Sequence, residues 1–196
     1  AEVTFTPQTN VANTGLAFDA ILEGLNDGRA RAREDFGVEM AWVLDIVRDA
    51  PQTRHTVASW AAGAADRGVV GLGLGGPENG HPPGPYAGAC AFARAAGLHS
   101  VPHAGEGAGP DSVWGAIRAL KAERIGHGVR SVEDPALIDY LRDRQVPLEV
   151  CPTSNLRLGV YGSYADHPLR RLWNEGLYVT VNSDDPPMFD TDLVAE

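Results

Sequence analysis

The sequence predicts a parallel β/α barrel of the TIM (β/α)8 type, carrying seven of its eight strands, and two observations lead there. Short β-like runs alternate with stretches of helical period along the whole chain. That alternation requires a parallel sheet with crossover connections. Polar or glycine residues then recur at the C-terminal ends of successive runs, at Asp45, Gly75-Gly76, His103, His127, Cys151 and Asp184. One chemical residue at the end of strand after strand is how a closed barrel assembles a site. The competing open sheet that binds dinucleotides is disfavoured. It needs GxGxxG after its first strand, whereas the only glycine cluster, Gly71 to Gly76, sits mid-chain without that spacing.

The β-like runs are Glu2 to Thr6, Met40 to Ile46, Val69 to Leu74, Ser100 to Ala104, Arg124 to His127, Pro147 to Val150 and Tyr178 to Asn182. Helical periodicity covers Gly15 to Asp35, Thr53 to Arg67, Pro85 to Ala96, Asp111 to Lys121, Pro135 to Arg144 and His167 to Glu175. Asp134-Pro135 reads as a helix start, an N-cap followed by proline at the first helical position. Gly97 and Gly176 each close a helical run before a strand. A complete barrel needs eight strands and about 250 residues. The 196 residues are therefore expected to form a single incomplete barrel domain, 1–196, holding strands two to eight of the ring.

Composition narrows the function classes. The chain is 43% hydrophobic and 21% charged with a net charge of −10, which suits a soluble globular protein and offers no basic footprint for nucleic acid. No apolar run reaches the roughly 18 residues of a membrane span. Two cysteines, Cys90 and Cys151, make no disulfide framework and no CxxC zinc knuckle, so a cytoplasmic setting is the default.

Four local signals carry chemistry. His103 ends a strand and Glu106 follows on the turn in Val101-Pro102-His103-Ala104-Gly105-Glu106; alone, both also fit a structural histidine and a solvated loop acid. In Arg124-Ile125-Gly126-His127-Gly128, glycines flank a histidine and permit close approach, though a plain turn has the same look. Asp184 and Asp185 end an apolar run before Pro186-Pro187. An N-cap accounts for one of them, but adjacent carboxylates repel unless a cation or proton is near. Cys151-Pro152-Thr153-Ser154-Asn155 reads as a supporting loop. Taken together, His103, Glu106, His127, Asp184 and Asp185 converge on one barrel face. Imidazole and carboxylate suit Zn2+, and zinc lowers the pKa of bound water to about 7.

These four motifs, His-Ala-Gly-Glu at 103–106, Arg-Ile-Gly-His-Gly at 124–128, Cys-Pro-Thr-Ser-Asn at 151–155 and Ser-Asp-Asp-Pro at 183–186, stand in one order along the chain. In that order and spacing the sequence resembles the adenosine deaminase family of amidohydrolase-type barrels, over essentially its whole length. The resemblance implies that His103 and Asp184 ligate one zinc and that Glu106 hydrogen-bonds the purine ring nitrogen and protonates it. It implies that His127 orients and deprotonates the attacking water and stabilises developing charge, and that Asp185 holds the attacking oxygen and contacts the purine. Gly76 aligns with the glycine whose amide reads another ring nitrogen.

One departure stands against the resemblance. The family takes two more zinc ligands from a His-x-His ending its first strand, and none is present. His55, His81, His99 and His167 fall on helices or loops and receive no ligand role. The opening run therefore reads as the family's second strand, with the first strand and terminal helices missing and metal binding weakened. The expected activity is hydrolytic deamination of a 6-aminopurine nucleoside, a small-molecule substrate. Gly73-Leu74-Gly75-Gly76-Pro77-Glu78 and the tail from Asp185 to Leu193 look like the aminodeoxyfutalosine deaminases, with adenosine as the other candidate. A nucleoside-binding protein without catalysis is the alternative from another class.

Overall fold

Seven parallel strand positions run through the computed structural model, which describes residues 1–196. In chain order the elements are β1 (Glu2–Phe5), α1 (Pro7–Thr14), α2 (Phe18–Phe36), β2 (Ala41–Val47), α3 (Arg54–Gly63), β3 (Val69–Gly75), α4 (Ala87–Ala95), β4 (His99–Ser100), β5 (His103–Ala104), α5 (Pro110–Gly115), β6 (Ile125–His127), α6 (Pro135–Arg144), β7 (Leu148–Val150), α7 (Pro152–Arg157), α8 (Leu169–Asn174), β8 (Val179–Val181) and α9 (Pro186–Phe189). Strands pair in the orders β1-β2-β3-β4 and β5-β6-β7-β8, all parallel.

The expected strand 100–104 is two short pieces, β4 and β5, parted at Val101-Pro102. Proline has no N–H to give a ladder. The two sheets are nevertheless continuous through this segment. Val101 donates its N–H to Leu72 on one side (3.0 Å), while Pro102 accepts from Gly126 on the other (3.0 Å). His99, expected on a helix or loop, opens β4. β1 and β8 are edge strands with one hydrogen-bonded neighbour each.

Side chains alternate across each strand, and the two faces differ in kind. Leu44 and Ile46 of β2 with Leu72 and Leu74 of β3 pack outward against Val57, Ala58 and Ala61 of α3 and Ala89 and Ala93 of α4. Alanine on those helices lets them lie close to the sheet. Ile125, Leu148 and Val150 likewise meet Val113, Leu137, Leu141 and Leu172. The inward positions between them are charged: Asp45 sits between Leu44 and Ile46, and Glu149 between Leu148 and Val150. Arg124 bridges two such residues, pairing with Glu2 and with Glu149 (3.4 Å).

Three helical features differ from expectation. α1 fills a stretch with no apolar periodicity, started by Pro7 and ended by Gly15 at φ 72. Residues 152–157, expected as loop, form α7, with Pro152 at the position where its missing N–H costs nothing. Observed helices are also shorter than their periodic stretches; α8, for example, covers Leu169–Asn174 within the expected 167–175. α6 coincides with its expected span, and Asp134 caps it by accepting from Ala136 N–H (2.9 Å). No helix is long and apolar enough to cross a membrane.

Candidate active site

The glycine-rich strand β3 explains how the site is built. A Cβ at Gly73 would lie 1.9 Å from Asp45 Oδ1, and one at Gly75 would lie 2.6 Å from Asp45 Oδ2. Glycine at both positions clears a passage for the Asp45 carboxylate through the barrel interior. Its far side meets His103, with Asp45 Oδ2 at 3.2 Å from His103 Nδ1. That contact is close enough for charge pairing but is not aligned as a hydrogen bond. Gly126 serves the same end, because a Cβ there would press on the His103 ring at 3.1 Å. His103 thus has its Nδ1 edge turned to a buried acid.

His127 ends β6 in a left-handed conformation, φ 61, and Asp184 follows β8 at φ 56. The remaining non-glycine residues with positive φ, Lys121, Gln145 and Asp190, all terminate helices. At strand ends this backbone is strained, and only these two candidate site residues show it. The bend aims both side chains at one place. His127 Nε2 lies 3.7 Å from Asp184 Oδ2, and its Nδ1 lies 3.5 Å from Glu106 Oε1. The His103 ring stands beside it, with centroids 5.3 Å apart. Ser154 of α7 donates to Asp184 Oδ2 at 2.6 Å.

Electrostatics separate the titratable groups. Burial pushes the Glu106 carboxyl up to about 7, with Asp184 and Glu78 adding to the rise against His103. Burial opposes charge on His103, yet Asp45, Asp184 and Glu106 outweigh it and raise the imidazole to about 9. Burial, reinforced by His103, drives His127 down to about 3, so it is neutral near pH 7. Asp185 is raised by burial and by its neighbour Asp184.

Sequence reasoning found the groups that meet, but not those that hold them. Glu106, His127 and Asp184 touch, with His103 alongside. Gly76 and Asp185 lie on the same strand-end face without bonding to them. Gly76 takes φ 82 directly after β3. Asp185 occupies the cap position of α9, but its carboxylate caps nothing. Unanticipated is Glu78, whose carboxylate accepts the N–H groups of Gly105 (2.6 Å), Glu106 (3.0 Å) and Ala108 (2.8 Å). Arg48, fully buried after β2, donates to the His103 carbonyl at 2.7 Å. Asn155 and His167 stand behind His127. Asp45 left a readable sign, a lone acid inside the apolar run Trp42–Val47; His167 left none.

The donor set tests whether a metal fits. His103 with its Nδ1 edge on a carboxylate is the arrangement that orients a metal-binding imidazole, and it leaves Nε2 free. Asp184 is fixed by Ser154. His127, Cys151 and Asp184 also place donor atoms within 4.8 Å of one another. Cys151 is a poor member of such a set, since burial and the Asp184 and Glu106 carboxylates push its thiol well above the usual range. The donors that suit zinc are His103 and Asp184.

A family model described as adenosine deaminase matches residues 1–196. The chain belongs to the adenosine deaminase family. It is 43% identical over 196 residues to the aminodeoxyfutalosine deaminase of Streptomyces coelicolor, covering 98% of this chain and 50% of that protein. Among solved structures it is similar to the adenine deaminase of Arthrobacter aurescens, with TM-score 0.93, 36% identity, and 98% and 59% of the two chains covered. It is also similar to an amidohydrolase from B. ambifaria with bound Zn, with TM-score 0.91, 28% identity, and 98% and 54% covered. The chain spans about half the length of the curated relatives it matches. Membership of this family and these structural likenesses make the fold an amidohydrolase-type barrel, of which the chain holds part.

Proposed function

We propose that the protein carrying this chain hydrolyses the exocyclic amine of a 6-aminopurine nucleoside, giving the 6-oxo purine and ammonia. The observation that supports it most is the run of contacts from Glu106 to His127 to Asp184 at one strand-end face. A carboxyl lifted to about 7 keeps its proton near neutrality and can still give it up. In this reading Glu106 hydrogen-bonds the ring nitrogen beside the amine-bearing carbon and protonates it as a hydroxide oxygen adds to that carbon. The tetrahedral carbon then loses its C–N bond, the hydroxyl proton leaves with the nitrogen as ammonia, and the proton released from water restores Glu106. Asp185 holds the incoming oxygen, and the Gly76 amide reads a second ring nitrogen. His103 and Asp184 hold a zinc ion. Zinc, when bound, supplies water acidified enough to be hydroxide at neutral pH.

The substrate proposed first is 6-amino-6-deoxyfutalosine, in line with the Streptomyces relative and the stretch Gly73 to Glu78; adenosine is second. A reducing, cytoplasmic setting belongs to the proposal, resting on the two buried free thiols Cys90 and Cys151. The test is ammonia release by the full-length protein from 6-amino-6-deoxyfutalosine, adenosine and adenine, with metal content measured alongside. Turnover of a nucleoside by a zinc-containing preparation is expected. Zinc-free protein that binds nucleosides without releasing ammonia would make it a binding protein instead.

A further inference from the structure

The segment that carries Glu106 is held from two sides. Its carbonyls face Arg130: Gly105 accepts from the Arg130 backbone N–H and Gly107 from the guanidinium, each at 2.8 Å. Its amides face Glu78, and the carboxylate there accepts from Gly105, Glu106 and Ala108. The Glu106 side chain is tied more loosely. Its Oε1 stands 3.5 Å from Asn155 Nδ2 and 3.5 Å from His127 Nδ1, at the long limit of hydrogen bonding. The direction of the Glu106 carboxyl is therefore set by its main chain.

The two holds lead to different places. Arg130 follows β6 in the β5–β8 sheet and is itself paired with Glu133 (2.7 and 3.1 Å). Glu78 reaches across from the β1–β4 sheet, two residues beyond Gly76 in the loop after β3. That loop has no slack. Arg48, wholly buried, gives its N–H to Gly75 (2.9 Å) and its guanidinium to the carbonyls of His81 and, on the other sheet, His103. The Arg48 carbonyl accepts from the Tyr86 hydroxyl at the far end of the loop (2.7 Å). Burial lowers the pKa of the guanidinium, and the Glu78 carboxylate is the largest influence opposing that fall. An amide at the edge of a cleft can be satisfied by water; a carboxylate only 9% exposed that takes three of them also fixes where they point.

We infer that Glu78 is a positioning residue, which sets where Glu106 stands by fastening its main chain to the loop that opens at Gly76. The proposed proton donor and the amide proposed to read the second ring nitrogen are thereby held at one spacing, with Arg48 keeping the loop in place. The inference rests on the proposed deamination for the role of Glu106, whereas the fastening itself does not depend on the reaction.

The test is a double-mutant cycle in the full-length protein, read by ammonia release from 6-amino-6-deoxyfutalosine and adenosine. Glu78→Leu removes every acceptor and is expected to lower kcat about 100-fold with KM little changed, the effect of misplacing a reacting group by roughly 1 Å. Glu78→Gln keeps one oxygen that can accept from Glu106 and Ala108, and is expected to lose only about tenfold. In a Glu106→Gln background neither change is expected to lower kcat further, because the group being aimed is gone. Hydrogen exchange should show slowed amides at 105, 106 and 108 in wild type, released in Glu78→Leu while the β2–β3 ladder stays protected. Equal losses of kcat in both backgrounds overturn the inference, since a general loosening would act on either. A Glu78→Leu protein with wild-type kcat overturns it too, as does free exchange of the three amides in wild type. Should Glu78→Leu not fold, Glu78→Gln completes the cycle. A wild-type protein with no deaminase activity overturns the proposed reaction instead, and exchange still decides whether Glu78 holds the segment.

Discussion

The two halves of the barrel arc are built differently. In the first, β2 and β3 run seven residues each and share a long ladder, packed beneath a buried cluster of 18 apolar residues. In the second, no strand exceeds three residues, and the apolar cluster has 13 members. β6 ends where its chemical residue sits, at His127, whose positive φ takes the backbone out of the ladder. The first half contributes Asp45, Arg48 and Glu78, which brace groups belonging to the second. Regular pairing supplies a rigid platform, and strain is kept to the few residues it must aim.

If that division is right, substitutions in the two halves should move different observables. The largest effect is expected from Glu106→Gln, which removes the proposed proton donor. It should lower kcat by about 10² to 10⁴-fold, with metal content unchanged. The same carboxyl sets a pH dependence. Its folded pKa, about 7, lies above the ordinary carboxylate value. Its contribution to stability is therefore full below the ordinary range and lost as pH rises through about 7. The kcat/KM of wild type should fall about tenfold per pH unit above 7, and chemical denaturation should show Glu106→Gln losing less stability than wild type between pH 5 and pH 8.

Next in size is Leu44→Ala in the first half, at a fully buried position. It should cost about 2–5 kcal/mol by urea denaturation and leave kcat of the folded fraction intact; a large fall in kcat there would break the division. Gly73→Ala tests the joint between halves, because its methyl would collide with Asp45. A loss of about 1–3 kcal/mol is expected, together with about tenfold weaker zinc binding as Asp45 is pushed off His103. The smallest effect is expected at Trp173, 67% exposed on α8. Trp173→Ala should stay within ~0.5 kcal/mol of wild type.

Legibility in the sequence follows the same division. The strands were readable because apolar runs stop at a polar residue or a glycine, which gave His103 in β5, His127 at the end of β6 and Asp184 shortly after β8. α1 was not readable, since only Pro7, which is buried, and Val11, which packs against the apolar cluster, turn inward, and the two set no helical period. α7 was mistaken for loop because Cys-Pro-Thr-Ser-Asn is turn-like in composition, while its helical state is set by partners remote in sequence, such as Asp184 and His127. The bracing residues escaped for a related reason. Glu78 and His167 act through backbone amides and one buried carboxamide, and such partnerships leave no spacing pattern in the chain.

The grip of Glu78 on the segment after β5 has a practical consequence for redesign. It seizes main-chain amides rather than side chains, so the aim of Glu106 depends little on the side chains at 107 and 108, whereas Gly105 is fixed by its φ of 73 and by Val113, 2.5 Å from where a Cβ would stand. Residues 107 and 108 can be randomised to reshape the rim of the cleft without detuning the acid, provided proline is kept out of position 108, where an amide hydrogen is required.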